Sequence, residues 1–197
     1  MQETNRYIIA VLLPDRVGAL RDVTEVVFRL DGNIVGVRQT VVDGYFSLTC
    51  TAAHPPGVTA EKIQSELASR LEPEAAILVR ASVRLPAGRC VTGARYMAMT
   101  RGPDRPGTIH AISSFFVEYG INIEDWQAED EGADVIYTAQ VVLPETTDFR
   151  LVQAAFHARM TARGLSAAIC HENIFRATNE IGPIKGLLGN GVVSREQ

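Results

Sequence analysis

Asp15-Arg16-Val17-Gly18 recurs in this chain of 197 residues as Asp104-Arg105-Pro106-Gly107, which begins 89 residues later. The dipeptide Asn33-Ile34 recurs as Asn122-Ile123 at the same offset of 89 residues. Either repeat alone is weak, but two motifs that recur in register are hard to obtain by chance. We therefore expect an internal duplication, with two similar domains in the chain.

The segments around the two motifs have matching hydrophobic patterns. Short β-branched and apolar runs over residues 6–13 and 95–100 precede the motifs and predict strands. Apolar residues then recur at three- and four-residue spacing, which predicts one amphipathic helix per repeat. In the first repeat these residues are Leu20, Val23, Val27 and Leu30, and in the second Ile109, Ile112, Phe116 and Tyr119. Gly32 and Gly120 are the expected helix stops.

The rest of each repeat predicts a hairpin, a second helix and a last strand. The hairpins join strands at 34–42 and 45–51, around Asp43-Gly44, and strands at 121–129 and 135–143, around the acidic turn 130–132. The second helices are expected at 59–71 and 148–163, and the closing strands at 77–85 and 165–175. Each repeat is therefore β-α-β-β-α-β, an α+β, ferredoxin-like unit whose four-stranded antiparallel sheet has two helices on one face.

These elements give a domain plan for the whole chain. We expect a first domain at residues 1–86, a linker at 87–94, a second domain at 95–176 and a Gly-rich C-terminal tail at 177–197. The tail is too rich in glycine to predict an element. It either docks on the rest of the protein through Ile184, Leu187 and Leu188 or frays, and the sequence leaves both open.

Composition and charge exclude several classes of function. The chain has 46% hydrophobic and 21% charged residues, as globular proteins do. Its 19 basic and 23 acidic residues give a net charge of −4, so we expect no direct binding of nucleic acid. No apolar run approaches the roughly 18 residues of a membrane span, and the run at 7–13 ends at Pro14 without a signal-peptide cleavage site. Three distant cysteines, Cys50, Cys90 and Cys170, argue against a disulfide framework and favour the cytoplasm.

Motifs for catalysis and metal binding are absent from the sequence. It contains no P-loop, no nucleophile elbow and no His-Glu-x-x-His. Of four scattered histidines, His110 could touch a ligand near the start of a helix, but a surface position is more common. The acidic residues between 124 and 134 are typical of a solvated hairpin tip, and Trp126 is expected under the helices or at a domain interface. We expect no enzyme, no metal and no cofactor.

The repeated loop motif suits the binding of a carboxylate. Free N–H groups and the positive dipole end of a helix attract an anion, and each motif opens a helix. Arg16 and Arg105 could pair with the ligand carboxylate or be solvated. Asp15 and Asp104 could equally be N-caps or turn-forming residues.

The repeated asparagine could complete a site for an amino acid. The side-chain amides of Asn33 and Asn122 both donate and accept hydrogen bonds, so they could hold a zwitterion. The alternative is that each asparagine only caps the preceding helix in a left-handed conformation. We expect the loop and the asparagine to lie at one end of the sheet in each repeat.

Together, these motifs resemble those of ACT domains, which are small regulatory modules that bind amino acids. The resemblance covers both repeats, over about 170 residues. It implies that domains pair side by side, and that the ligand lies between the first loop of one domain and the second strand of its partner. The corresponding loop residues are Asp15, Arg16, Gly18, Asp104, Arg105 and Gly107, and the strand residues are Asn33, Ile34, Asn122 and Ile123. Because Val17 stands where Pro106 stands in the second repeat, the two sites need not be equally competent.

Tandem ACT chains of this length are most similar to the glycine cleavage system transcriptional repressor group. This resemblance implies a homodimeric regulator that binds a small amino acid, with glycine and serine as candidates. A regulator of transcription with this charge would act through a protein partner. Two alternatives stay open: a subunit that regulates an amino-acid biosynthetic enzyme in trans, and an assembly module whose ligand site is vestigial.

Overall fold

The computed structural model describes residues 4–83 and 91–176. Contacts between residues divide the chain into two compact units, Met1–Leu85 and Pro86–Gln197. Half of the expected linker, residues 87–90, and all of the tail, including Ile184, Leu187 and Leu188, lie outside the described residues, as does Cys90. Each unit is described by itself below.

The first unit contains six elements in the predicted order. They are β1 (Asn5–Pro14), α1 (Ala19–Arg29), β2 (Asn33–Val42), β3 (Tyr45–His54), α2 (Ala60–Arg70) and β4 (Ala76–Ala81). The strands form one antiparallel four-stranded sheet in the order β2-β3-β1-β4. The two strands that flank each helix in the sequence are therefore not neighbours in the sheet, because another strand lies between them. This is the split βαβ arrangement.

The second unit repeats this topology. Its elements are β5 (Gly93–Pro103), α3 (Thr108–Glu118), β6 (Asn122–Glu131), β7 (Asp134–Pro144), α4 (Phe149–Thr161) and β8 (Ser166–His171). Its sheet has the order β6-β7-β5-β8. The predicted α+β, ferredoxin-like fold is thus confirmed in both units. Strand β5 begins at Gly93, inside the range that the sequence assigns to the linker.

One face of each sheet packs on the two helices of its unit. In β1, burial alternates so that Tyr7, Ile9, Val11 and Leu13 point into the core. Helix α1 contributes Val23 and its neighbours to the same cluster, and helix α2 contributes Ile63 and Leu67. The period-2 and period-3.6 patterns of the sequence therefore meet in one core per unit.

The end of α1 differs by one residue from the sequence prediction, whereas α3 stops at Gly120 as predicted. Both helices end in a Schellman motif, in which the left-handed residue is Asp31 (φ 51°) in α1 and Gly120 (φ 64°) in α3. Gly32 is not that residue. It is small for a different reason, because a Cβ there would overlap the imidazole of His54.

The last strand of the second unit is shorter than predicted. Strand β8 ends at His171, and residues 172–176 are helical, with an ion pair from Arg176 to Glu172 one turn earlier. The apolar residues Ile174 and Phe175 extended the predicted strand, although their local structure is helical. Among the described residues, no helix is long and apolar enough to cross a membrane.

Candidate functional site

The two Asp-Arg-x-Gly loops have the same backbone. Gly18 (φ 91°) and Gly107 (φ 86°) are the N-cap residues of α1 and α3, and neither helix has a side-chain cap. This left-handed conformation explains why both loops carry glycine at that position. The first N–H group of each helix donates back to the loop, from Ala19 to the carbonyl of Arg16 and from Thr108 to the carbonyl of Arg105. The N–H groups that follow in the first turn are the ones available to another partner.

The loop aspartates do not cap the helices, which corrects one of the two sequence expectations. The backbone N–H of Asp15 donates to the carbonyl of Gly44 at 2.7 Å and so ties the loop to the β2–β3 hairpin. The carboxylate of Asp104 accepts a hydrogen bond from the buried Tyr137 hydroxyl at 3.1 Å. This bond and burial raise the pKa of Tyr137, with burial the larger cause. Both aspartates fix the loop.

The loop and the asparagine of one unit lie at opposite ends of the sheet, so the expectation that they share one end is wrong. Asn33 pairs with Ala53, which pairs with Arg6 near the start of β1, whereas the loop follows Pro14 at its end. The second unit has the same register, with Asn122 opposite Val142 and the loop after Pro103. At about 3.3 Å per residue, some 25 Å separates the two motifs within a unit. One small amino acid cannot reach both.

The first loop is closed by an ion-pair network. Arg16 donates from Nη2 to Asp22 at 2.7 Å and from Nε to Glu72. Asp22, whose side chain is only 11% exposed, also accepts from Arg70 at 2.5 Å. The hydrogen bonds from Arg16 lower the pKa of Asp22 and the pKa of Glu72. The guanidinium of Arg16, which the sequence suggested as a partner for a ligand carboxylate, is therefore paired with two carboxylates of the chain itself.

The second loop is open. Ala111 stands 89 residues after Asp22, so the network has no counterpart at that position. Arg105 is exposed, and among residues 91–176 it forms no ion pair. A Cβ at Gly107 would meet nothing within 4 Å, whereas one at Gly18 would lie 3.7 Å from Nη1 of Arg16. The two repeats thus differ in access to the helix N-terminus.

The asparagines begin the second strand of each unit and are exposed. Neither has a positive φ in the part of the chain that the structure describes, so the capping alternative is wrong for both. The neighbouring Ile34 and Ile123 pack against the cores. The amides of Asn33 and Asn122 are therefore exposed, while the isoleucines support the strand.

A cavity of about 530 Å³ lies beside Asn33. It is lined by Thr4, Asp31, Asn33, Ala53, His54, Pro55 and Pro56. Sequence reasoning treated His54 as one of several scattered histidines. The 89-residue offset could have singled out this histidine. It makes Leu143 the equivalent of His54 in the second repeat, so the histidine is a departure from the repeat.

The remaining candidate residues do not form a second site. His110 is exposed on α3, and Trp126 packs against the second core with its ring 6.1 Å from that of Tyr137. Cys50 and Cys170 are free thiols, and burial raises the pKa of each. Within residues 4–83 and 91–176, no group of three His, Cys, Asp or Glu side chains is placed to hold a metal ion.

Two βαββαβ units in tandem, each with an Asp-Arg-x-Gly loop at the start of its first helix, define the class of a tandem ACT-type fold. No protein-family model matches the chain, and no curated protein matches it. Solved structures, by contrast, do match the chain. An unknown protein from Galdieria sulphuraria is 21% identical, with a TM-score of 0.73 over 86% of this chain and 99% of the other.

A proposed glycine cleavage system transcriptional repressor is 15% identical, with a TM-score of 0.60 over 85% of this chain and 96% of the other. An ACT domain protein from Streptococcus pneumoniae is 23% identical over 43% of this chain and 96% of its own, with a TM-score of 0.40. The first two of these likenesses, with TM-scores of 0.73 and 0.60, establish the fold. At the level of the fold, they confirm the resemblance to tandem ACT proteins of the repressor type.

Proposed function

We propose that the chain is a non-enzymatic ACT-type regulator that binds a small amino acid through the loop of its second unit. The observation that supports this most strongly is the contrast between the two loops. Arg16 is neutralised by Asp22 and Glu72, whereas Arg105 is exposed beside an open helix N-terminus. A free guanidinium next to unpaired backbone N–H groups recognises a carboxylate.

The amino group of the ligand requires a different part of the surface. Because Asn122 lies about 25 Å from the loop of its own unit, the loop and that asparagine cannot bind one ligand. We infer that a second copy of the chain supplies the asparagine, in line with the side-by-side pairing that the ACT resemblance implies. Ligand binding would then bias how the copies pack and, through that, the surface presented to a protein partner.

The fold likeness to the proposed glycine cleavage repressor favours a role in the regulation of transcription. Glycine or a related amino acid would be the ligand that is sensed. The net charge of −4 supports action through a protein partner rather than direct contact with DNA. The location that suits such a role is the cytoplasm.

A thermal-shift panel of the twenty amino acids tests this function. Ligand at a hundred times its Kd adds about 2.7 kcal/mol to the free energy of unfolding, so at least one small amino acid should raise the melting temperature. Asn33→Ala and Asn122→Ala show which asparagine takes part, and at least one should reduce the shift. If no amino acid raises the melting temperature, the proposed function is wrong.

A further inference from the structure

The cavity beside Asn33 is placed at the negative end of a helix. Asp31 follows directly after Leu30, the C-cap residue of α1, and is one of the residues that line the cavity. The last carbonyl groups of a helix carry partial negative charge and favour a cation. Among the described residues that line the cavity, none is Lys or Arg. The polarity of the cavity therefore suits a positive group.

His54 adds a buried acceptor to this wall. Its side chain is 0% exposed, and Nδ1 lies 3.1 Å from the carbonyl oxygen of Leu30. A carbonyl only accepts, so Nδ1 carries a proton, and in the tautomer with this single ring proton Nε2 keeps a lone pair. Among the described residues, Nε2 is buried without a hydrogen-bond partner. Buried polar atoms are nearly always paired, so this nitrogen points to a missing donor.

The arrangement belongs to the first unit alone. Gly32 admits the imidazole, since any larger residue would overlap the ring, and Asp31 holds the left-handed position before it. At the matching positions of the second unit stand Gly120, Ile121 and Leu143. Asn122 is thus present there without the carboxylate and without the imidazole.

We propose that the cavity of the first unit binds the ammonium group of a small primary amine, with the Asp31 carboxylate, the Asn33 side-chain oxygen and Nε2 of His54 as acceptors. An ammonium group has three N–H donors and a positive charge, which matches three acceptors at a helix C-terminus. A volume of about 530 Å³ is that of a small-molecule site. This inference extends the proposed recognition of an amino acid. For the identity of the natural ligand, it rests on that proposed function.

Three probes separate the amine from the rest of an amino acid. Glycinamide carries the amine without a carboxylate, acetate carries the carboxylate without an amine, and glycine carries both. Titrations of the full chain are followed by the long-range ¹H–¹⁵N signals of His54, which report directly on Nε2. We expect glycinamide and glycine to shift the unprotonated Nε2 signal, and acetate to leave it in place.

His54→Leu and Asp31→Asn test the two new acceptors. Leucine is tolerated at the matching position of the second unit, and asparagine tolerates the left-handed backbone of Asp31 while removing its charge. His54→Leu should abolish glycinamide binding, measured by calorimetry, and Asp31→Asn should weaken it at least tenfold. His157→Leu, at an exposed position of α4 in the second unit, is the matched control and should bind glycinamide like the wild type. If His54→Leu does not fold, Asp31→Asn and the wild-type Nε2 signal decide the question.

The outcomes distinguish this inference from the proposed function. Glycinamide binding with no amino-acid binding would support the cavity and contradict the sensor. Amino-acid binding that is indifferent to His54→Leu and Asp31→Asn would overturn the cavity and leave the sensor standing. Failure of glycinamide to bind the wild type, or a proton found on Nε2 in the free protein, would also overturn the inference.

Discussion

At the scale of single residues, the two repeats use the same arginine for different purposes. Arg16 and Arg105 occupy the same place in the motif, yet only Arg16 has a buried carboxylate nearby, that of Asp22 in the first turn of α1. Its second partner, Glu72, is 56 positions distant in the chain, which no local pattern reveals. The difference between a structural and a ligand-binding arginine therefore depends on residues outside the motif.

Asp22 should make the stability of the first unit depend on pH. The hydrogen bond from Arg16 holds the pKa of Asp22 below its ordinary value, so the unfolded state takes up the proton first. This contribution is complete above the ordinary carboxyl pKa of about 4 and is lost as the pH falls through the lower folded-state value. Asp22→Asn should therefore cost roughly 1–2 kcal/mol at neutral pH and flatten the acid limb of the stability curve.

The measurement is urea unfolding at a series of pH values, followed through amide signals of the first unit. Glu74→Gln is the control, because Glu74 is exposed and forms no ion pair within the part of the chain that the structure describes. An acid limb of unchanged slope in Asp22→Asn would contradict the role assigned to the network.

At the scale of elements, close approach of backbone and side chain shapes the junction between α1 and β2. Gly32 lies against the His54 ring, whereas a Cβ on Gly36, in the same strand region, would meet nothing within 4 Å. Gly32 is thus required because His54, the last residue of β3, packs against it. The pairing of Asn33 with Ala53 brings the end of β3 to this position.

Gly32→Ala should destabilise the first unit by about 1–3 kcal/mol, because the new methyl group forces the buried imidazole to move. Gly36→Ala should change stability far less. Thermal unfolding of both variants checks this. In a His54→Ala background the cost of Gly32→Ala should fall, and an unchanged cost there would show that the ring is not the cause.

The order and type of the elements could be predicted from the sequence, because hydrophobic periodicity and a repeated motif are local signals. The opposite placement of Asn33 and the loop follows from this same topology. The loop comes at the end of β1, helix α1 runs back along the sheet, and Asn33 begins β2 at the other end. The predicted element order therefore already implied it. Contacts between residues distant in the chain are not local signals, which is why the packing of His54 against Leu30 and Gly32, more than twenty positions away, could not be predicted.

At the scale of the whole molecule, duplication has produced two units with one fold and different chemistry. The first loop is closed by an ion-pair network and a cavity lies beside Asn33, whereas the second loop is open and its Arg105 forms no ion pair among residues 91–176. The proposed amino-acid sensor therefore has one competent loop per chain. The proposed carboxylate site belongs to the second unit and the proposed amine site to the first, so a ligand held by two copies would link binding to the association of copies.

Isothermal titration of the best amino acid from the thermal-shift panel into wild type and Arg105→Gln tests this central claim most directly. Arg163→Gln, which removes another exposed arginine of the second unit, is the matched control. We expect one loop site per chain, a Kd at least tenfold weaker in Arg105→Gln because a charge-assisted bond is lost, and an unchanged Kd in the control. Two equivalent sites per chain, or equal affinity in wild type and Arg105→Gln, would contradict the assignment.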